Sequence, residues 1–160
     1  MKVGIISDTH NLLRPEVFTH FEGVEHILHA GDVGDADILA ALQAIAPVTA
    51  VWGNTDGRPL LRTLPEVARV DLGGVAVVVV HGQQFGSPTP EKVVKEYADA
   101  GLVVFGHSHR AVIWEVGSTL AVNPGSAGPI RFEAAPTIAV AQLEDGRASA
   151  QLITLAVASR

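Results

Sequence analysis

Short, valine- and isoleucine-rich runs alternate with amphipathic segments along the first third of the chain. Val3 to Ser7 is a short, β-rich apolar run ending in Ser7, suited to a central strand covered on both faces. Pro15 opens a short helical segment with Val17, Phe18 and Phe21 on one side. Glu25 to Ala30 reads as a second strand. Asp35 can cap a helix through Ala46, whose stripe is Ile38, Leu39, Leu42 and Ile45. Val48 to Trp52 is a third strand. The pattern then turns toward β. Val67–Leu72 and Val75–Val80 flank Gly73-Gly74, a hairpin signal. Thr89 and Pro90 form an N-cap and first helical position, with closure near Gly101. Leu102–Phe105, Val112–Val116 and Thr119–Val122 are further strands. A last hairpin joins Thr137–Leu143 to Ala148–Leu155 through Asp145-Gly146. The expected architecture is an α/β sandwich of mixed sheets flanked by helices, in one domain spanning residues 1–160.

The apolar strands end in unusual polar residues. Strand one runs into Asp8-Thr9-His10, strand two into Gly31-Asp32 and strand three into Gly53-Asn54. The valine strand runs into His81-Gly82, and the next into Gly106-His107-Ser108-His109. Ligands of open α/β sheets bind at the carboxyl ends of strands, so five ends would deliver these donors to one rim. Asp8 and His10, like His107 and His109, stand two apart, and in extended chain such side chains share a side. Gly31, Gly53, Gly82 and Gly106 allow close backbone approach. A lone strand-end Asp is usually a cap, and a lone strand His a core residue. Five coincidences together point to metal. Oxygen and nitrogen donors without sulfur suit manganese first, with Ni, Zn or Fe as alternatives. Seven donors exceed one tetrahedral ion but fit two ions sharing a carboxylate, for which Asp32 is the natural bridge.

Composition narrows the function. The chain has 160 residues, 48% of them apolar, and a formal net charge of -6, which fits a folded domain and argues against an extended nucleic-acid surface. The absence of cysteine excludes thiolate sites, thiol nucleophiles and disulfides. No signal peptide is legible, and the longest apolar run, Val75 to Val80, is too short for a bilayer. A cytoplasmic protein with no membrane partner is expected, and a homo-oligomer is permitted. Two divalent ions with two carboxylates and a hydroxide leave a net positive centre, which attracts an anionic phosphodiester. No Gly-x-Gly-x-x-Gly follows strand one, which disfavours a dinucleotide-binding fold.

With Asp8-Thr9-His10, Gly31-Asp32, Gly53-Asn54-Thr55-Asp56, His81-Gly82 and Gly106-His107-Ser108-His109 in that order, the sequence resembles the calcineurin-like metallophosphoesterases. It is most similar to their small, capless bacterial and archaeal phosphodiesterases. Asn123-Pro124-Gly125-Ser126 with Arg131 resembles a further block of that subgroup. The resemblance implies a four-layer αββα sandwich. It implies one ion on Asp8, His10, Asp32 and His109, and another on Asp32, Asn54, His81 and His107. A bridging hydroxide would attack a small phosphodiester, with Asp32, Asn54 and His81 at the reacting centre. Thr55 departs from the His or Cys of relatives and cannot act as a general acid near neutral pH.

Thr55, Ser126 and Arg131 are the expected substrate contacts. Asp56 either orients a ligand histidine or forms a turn with Gly57. His29 is expected to be a packing residue, His20 and His26 surface or packing residues, and Trp52 and Trp114 core. The closest enzymatic alternatives are a phosphomonoesterase or a nucleotide pyrophosphatase. A non-catalytic scaffold, such as the retromer subunit within the superfamily, would show lost ligands, and every ligand position is filled.

Overall fold

Strands of three to eight residues dominate because most apolar runs are too short and too β-branched to make buried helices. The computed structural model describes residues 1–156. Its first half is β1 (Lys2–Ile6), α1 (Glu16–His20), β2 (His26–His29), α2 (Ala36–Gln43), β3 (Val48–Ala50), α3 (Arg58–Thr63), β4 (Val67–Leu72) and β5 (Val75–Val80). The second half is α4 (Pro90–Glu96), β6 (Leu102–Val104), β7 (Val112–Val116), β8 (Thr119–Asn123), β9 (Thr137–Glu144) and β10 (Arg147–Thr154).

Two five-stranded sheets run in the orders β10-β9-β1-β2-β3 and β4-β5-β6-β8-β7. Strands β1, β2 and β3 are parallel, as are β5, β6 and β8, while β9 pairs antiparallel with both β1 and the edge strand β10, and the edges β4 and β7 pair antiparallel with β5 and β8. The sheets meet face to face through Ile5, Leu28, Val77, Val79, Val104 and Val122. The outer face of the first sheet is covered by Val17 and Phe21 of the α1 segment, Leu39 and Leu42 of α2, and Leu60 of α3. Val93 and Val94 of α4 cover Val78, Val80 and Val103 of the second. The result is the expected αββα sandwich, and the buried central strands explain the near-continuous apolar runs.

Local signals act as read at two helix starts. The Asp35 carboxylate accepts the Asp37 N–H at 2.9 Å, and Thr89 Oγ1 accepts the Lys92 N–H at 3.3 Å. Other expectations are corrected. α4 ends at Glu96, well before Gly101, because Tyr97 leaves helical dihedrals. α3 was not anticipated, since only Asp56-Gly57 reads as a turn pair; six residues hold as a helix because Pro59 starts it and Leu60 is buried. Phe18 is exposed rather than packed, since a five-residue helix turns only Val17 inward. Trp114 is exposed on the edge strand β7, and Trp52 is half-buried; neither is a core residue.

Candidate metal centre

The carboxyl ends of β1, β2, β3, β5 and β6 converge, and the seven predicted donors meet there. His109 Nε2 lies 3.1 Å from Asp8 Oδ1, and His10 Nε2 lies 3.4 Å from His109 Nε2. His81 Nε2 lies 3.1 Å from Asp32 Oδ2 and 3.1 Å from Asn54 Oδ1, which in turn is 3.1 Å from His107 Nδ1. Two ligands bound at about 2.0–2.2 Å to one ion, at angles near 90–110°, stand roughly 3.0–3.4 Å apart. All five pairs fall in that window. Asp8, His10 and His109 form one compact group, and Asp8, Asp32 and His81 another.

Hydrogen-bond valence makes the fit specific. His81 Nδ1 contacts the Ala30 carbonyl at 2.7 Å and must donate to it. If the ring is neutral, Nε2 is then a lone pair facing the oxygens of Asp32 and Asn54. Only a proton or a cation satisfies three such atoms. Burial opposes charge on His81, but Asp32 and Asp8 outweigh it and raise its pKa, so this position favours positive charge. Burial likewise opposes ionisation of Asp8, yet His10, His109, His81 and the Ser7 hydroxyl hold its carboxyl far below the usual range. Asp32 is lowered despite burial, through His81 and Thr55. His107 is lowered by burial and then by His81. Both carboxylates are thus ionised, and Asp8 Oδ1 is buried with no hydrogen-bond partner. The residues fit a divalent cation, because an ionised, partnerless carboxylate oxygen facing imidazoles is costly to bury otherwise.

The backbone corrects one expectation. Asp8 and His10, and His107 and His109, are not in extended chain. Five of the seven donors, Asp8, His10, Asp32, His107 and His109, lie at left-handed φ between 43° and 69°. Each costs of order 1 kcal/mol or more for a non-glycine residue. The close approaches were legible: a Cβ on Gly53 would strike Oδ1 of Asp32, and one on Gly106 would strike the Ser7 hydroxyl.

Supporting residues lock these loops. Ser7 Oγ donates to Asp8 Oδ2 at 2.6 Å. Asp56 accepts three backbone N–H groups, from Val33, Gly34 and Gly53, and so ties the Asp32 loop to the Asn54 loop; it takes no ligand histidine. Asn123 donates to the Gly106 carbonyl and the Ser108 hydroxyl, holding the His107–His109 turn from behind. His29 is wholly buried, with Nδ1 accepting the Gly31 N–H at 3.1 Å. Its Nε2 therefore donates to Thr9 Oγ1 at 3.0 Å, and Thr9 donates to the Val33 carbonyl at 2.8 Å. Burial drives the His29 pKa down to about 4, so it stays neutral.

The expected substrate contacts divide. Thr55 is exposed at the rim, and its N–H donates to Asp32 Oδ1 at 2.9 Å. Ser126 Oγ donates to the Asp8 carbonyl at 3.0 Å, so its hydroxyl is engaged in holding a ligand loop. Arg131 is exposed and lines a cavity of about 460 Å³ with Ser108, His109, Arg110, Phe132 and Ala134. Sequence reasoning passed over Ser7, Thr9, Arg110 and Phe132. Ser7 and Thr9 carried a signal, being small hydroxyls beside a donor where an apolar strand ends. Arg110 adjoined His109. Phe132 carried none.

Residues 1–146 match the family model of the calcineurin-like phosphoesterase superfamily domain. A probable metallophosphoesterase of Methanothermobacter thermautotrophicus is 33% identical, with 96% of this chain and 92% of that one covered. A phosphodiesterase of Methanocaldococcus jannaschii is 29% identical, with 78% and 83% covered. Among solved structures, an archaeal phosphodiesterase superposes with a TM-score of 0.77 at 24% identity, covering 96% of this chain and 100% of that one. Vps29 of Chaetomium thermophilum superposes with a TM-score of 0.79 at 19% identity, covering 96% and 97%. These last two likenesses concern the fold. The domain match and the 33% identity carry the family, and the chain belongs to the calcineurin-like phosphoesterase superfamily.

Proposed function

We propose that this protein is a metal-dependent phosphodiesterase with a dinuclear centre on Asp8, His10, Asp32, Asn54, His81, His107 and His109. The observation that carries the reading is the set of ionised carboxylates and lone-pair nitrogens turned toward one another on one rim. Two divalent cations held there, manganese first among Ni, Zn and Fe, would supply Lewis-acid charge and a water acidic enough to ionise near neutrality. Asp8 and Asp32 bring negative charge, whereas Asn54 and the histidines add donors without more, which leaves the centre attractive to an anion. Asp32 is held for a shared position: Thr55 N–H restrains one oxygen and His81 faces the other. Thr55 offers no acid near neutral pH, so substrates with good leaving groups are favoured.

Diester rather than monoester chemistry is supported by space on both sides of the His107–His109 turn. The cavity of about 460 Å³ lies on the His109 side, and one of about 420 Å³ lies on the His107 side beside Ser87, Pro88 and Thr89. Ser108 and Arg110 line both. A phosphate with two organic arms uses both cavities; a monoester needs one. We place the protein in the cytoplasm, since no described helix is long and apolar enough to cross a membrane and the chain carries no cysteine.

The scaffold reading has a specific support: a Vps29 of this fold was crystallised with a cyclic peptide. The complete donor set favours catalysis. The test is reconstitution with Mn, Ni, Zn and Mg, followed by hydrolysis of a diester panel and matching monoesters with metal content measured. Diesters should turn over fastest with Mn bound. A folded protein that binds no metal and cleaves neither class would return the chain to the scaffold reading.

A further inference from the structure

Phe132 is 88% exposed, an unusual position for a phenylalanine. It is also held there. Phe132 and Glu133 are the central residues of a turn closed by the Ala134 N–H on the Arg131 carbonyl at 3.3 Å, and both lie at left-handed φ, 57° and 60°. Such positions favour glycine or asparagine. The turn's base is stitched to the metal rim: Ala127 and Gly128 donate to the Ser7 and Asp8 carbonyls at 3.0 and 3.2 Å, and Arg14 donates to the Gly128 carbonyl at 3.0 Å. The Phe132 ring stands edge-on to the His109 ring at 6.4 Å between centroids.

Two guanidiniums accompany the ring. Arg110 and Arg131 line the same cavity, and neither meets a carboxylate among the described residues, where Arg69 with Asp99 is the one arginine pair. Glu133, the neighbouring acid, does not line it. In a chain of net charge -6, two unpaired arginines beside an exposed ring form a seat for a flat, apolar group attached to an anion. The ring face is buried by stacking, and the guanidiniums take phosphate oxygens or a second π-face.

We infer that Phe132, with Arg110 and Arg131, binds one arm of the substrate and selects phosphoesters whose arm is a flat aromatic group, an aryl ring or a nucleobase. The inference rests on the phosphoesterase reading and adds to it the class of arm. Phe132 sets specificity and takes no part in the reaction itself.

Isothermal titration of the Mn-loaded protein with non-hydrolysable phosphonates tests it. Phenylphosphonate and the 5′-phosphonate analogue of adenosine monophosphate should bind roughly tenfold or more tightly than methylphosphonate. Phe132→Ala should bring all three to the methylphosphonate level, and Phe132→Tyr should keep the preference. Tighter binding of the adenosine analogue than of phenylphosphonate assigns the seat to a nucleobase; equal binding assigns it to any aryl group. Equal affinity for all three in the native protein, no binding of any, or a preference that survives Phe132→Ala would overturn the inference. Turnover of bis(p-nitrophenyl) phosphate is scored separately. A protein that prefers the flat phosphonates without turnover keeps the seat and loses the reaction; one that turns over without preference keeps the reaction and loses the seat.

Discussion

The two ends of the sandwich both bend the chain into left-handed backbone, but only one of them imposes it on metal-donor side chains as well as on glycines. At the end where β4–β5, β7–β8 and β9–β10 turn, the positive dihedrals fall on Gly73, Gly74, Gly117 and Gly146, with Asp145 as an Asp-Gly turn residue. These residues adopt such dihedrals at little cost. At the opposite rim glycines such as Gly31, Gly34 and Gly82 take some of the positive dihedrals, but Asp8, His10, Asp32, His107 and His109 take them as well. There the side chain cannot be given up, so conformational strain stays in the folded state and is offset by the bonds behind the rim. One end is built for closure of hairpins, the other for aiming donors.

The comparison is broken most severely at the rim itself. Asp32→Ala should lower diester turnover by about 1,000-fold or more and reduce bound metal, read by steady-state rates and elemental analysis. Full activity in a folded Asp32→Ala protein would remove the shared carboxylate. The backing of the rim should show in acid. His29 has a folded value of about 4 against 6.5 in the unfolded chain, so the unfolded chain binds the proton more tightly. Its contribution is whole above pH 6.5 and is lost as the pH falls toward 4, amounting to about 3 kcal/mol. Urea midpoints of chelator-treated protein at pH 7.5 and 4.5 should separate far more for the native chain than for His29→Gln; equal separations would contradict the assignment.

A smaller effect is expected where two ligand loops are tied together. Asp56→Ala removes three backbone bonds and should weaken Mn affinity by roughly 10–100-fold without emptying the donor set. Titration with Mn reads this directly, and unchanged affinity would make Asp56 a turn residue only. The opposite end should respond least. Gly117→Ala, at φ 62° in open space, should cost about 1 kcal/mol in thermal or urea unfolding and leave turnover unchanged. A loss of activity there would mean the two ends are coupled.

What could be read beforehand follows from these physical roles. No strand end was decisive alone, since an Asp there usually caps a turn and a His usually packs in the core. Their convergence was legible because five runs stop in the same way. The layers followed from runs buried on both faces and from the stripe Ile38, Leu39, Leu42. The five-residue α1 was too short for periodicity to orient Phe18, and α3 depends on burial of Leu60, a tertiary event. Trp114 was misplaced because a sequence does not mark β7 as an edge strand. The left-handed backbone at Asp8 and His107 was hidden, since no glycine announces it. Phe132 was hidden for the opposite reason: a lone aromatic in a loop reads as ordinary packing until its surroundings are seen.

The relay through Gly31, His29, Thr9 and Val33 has a direction, every member donating one way along it. Nothing in that relay waits on an incoming ion, and it spans the two strands that present Asp8 and Asp32. Cations bound as proposed would therefore meet a finished cage rather than gather one from slack loops, and the Gly31 amide should exchange with solvent equally slowly before and after loading.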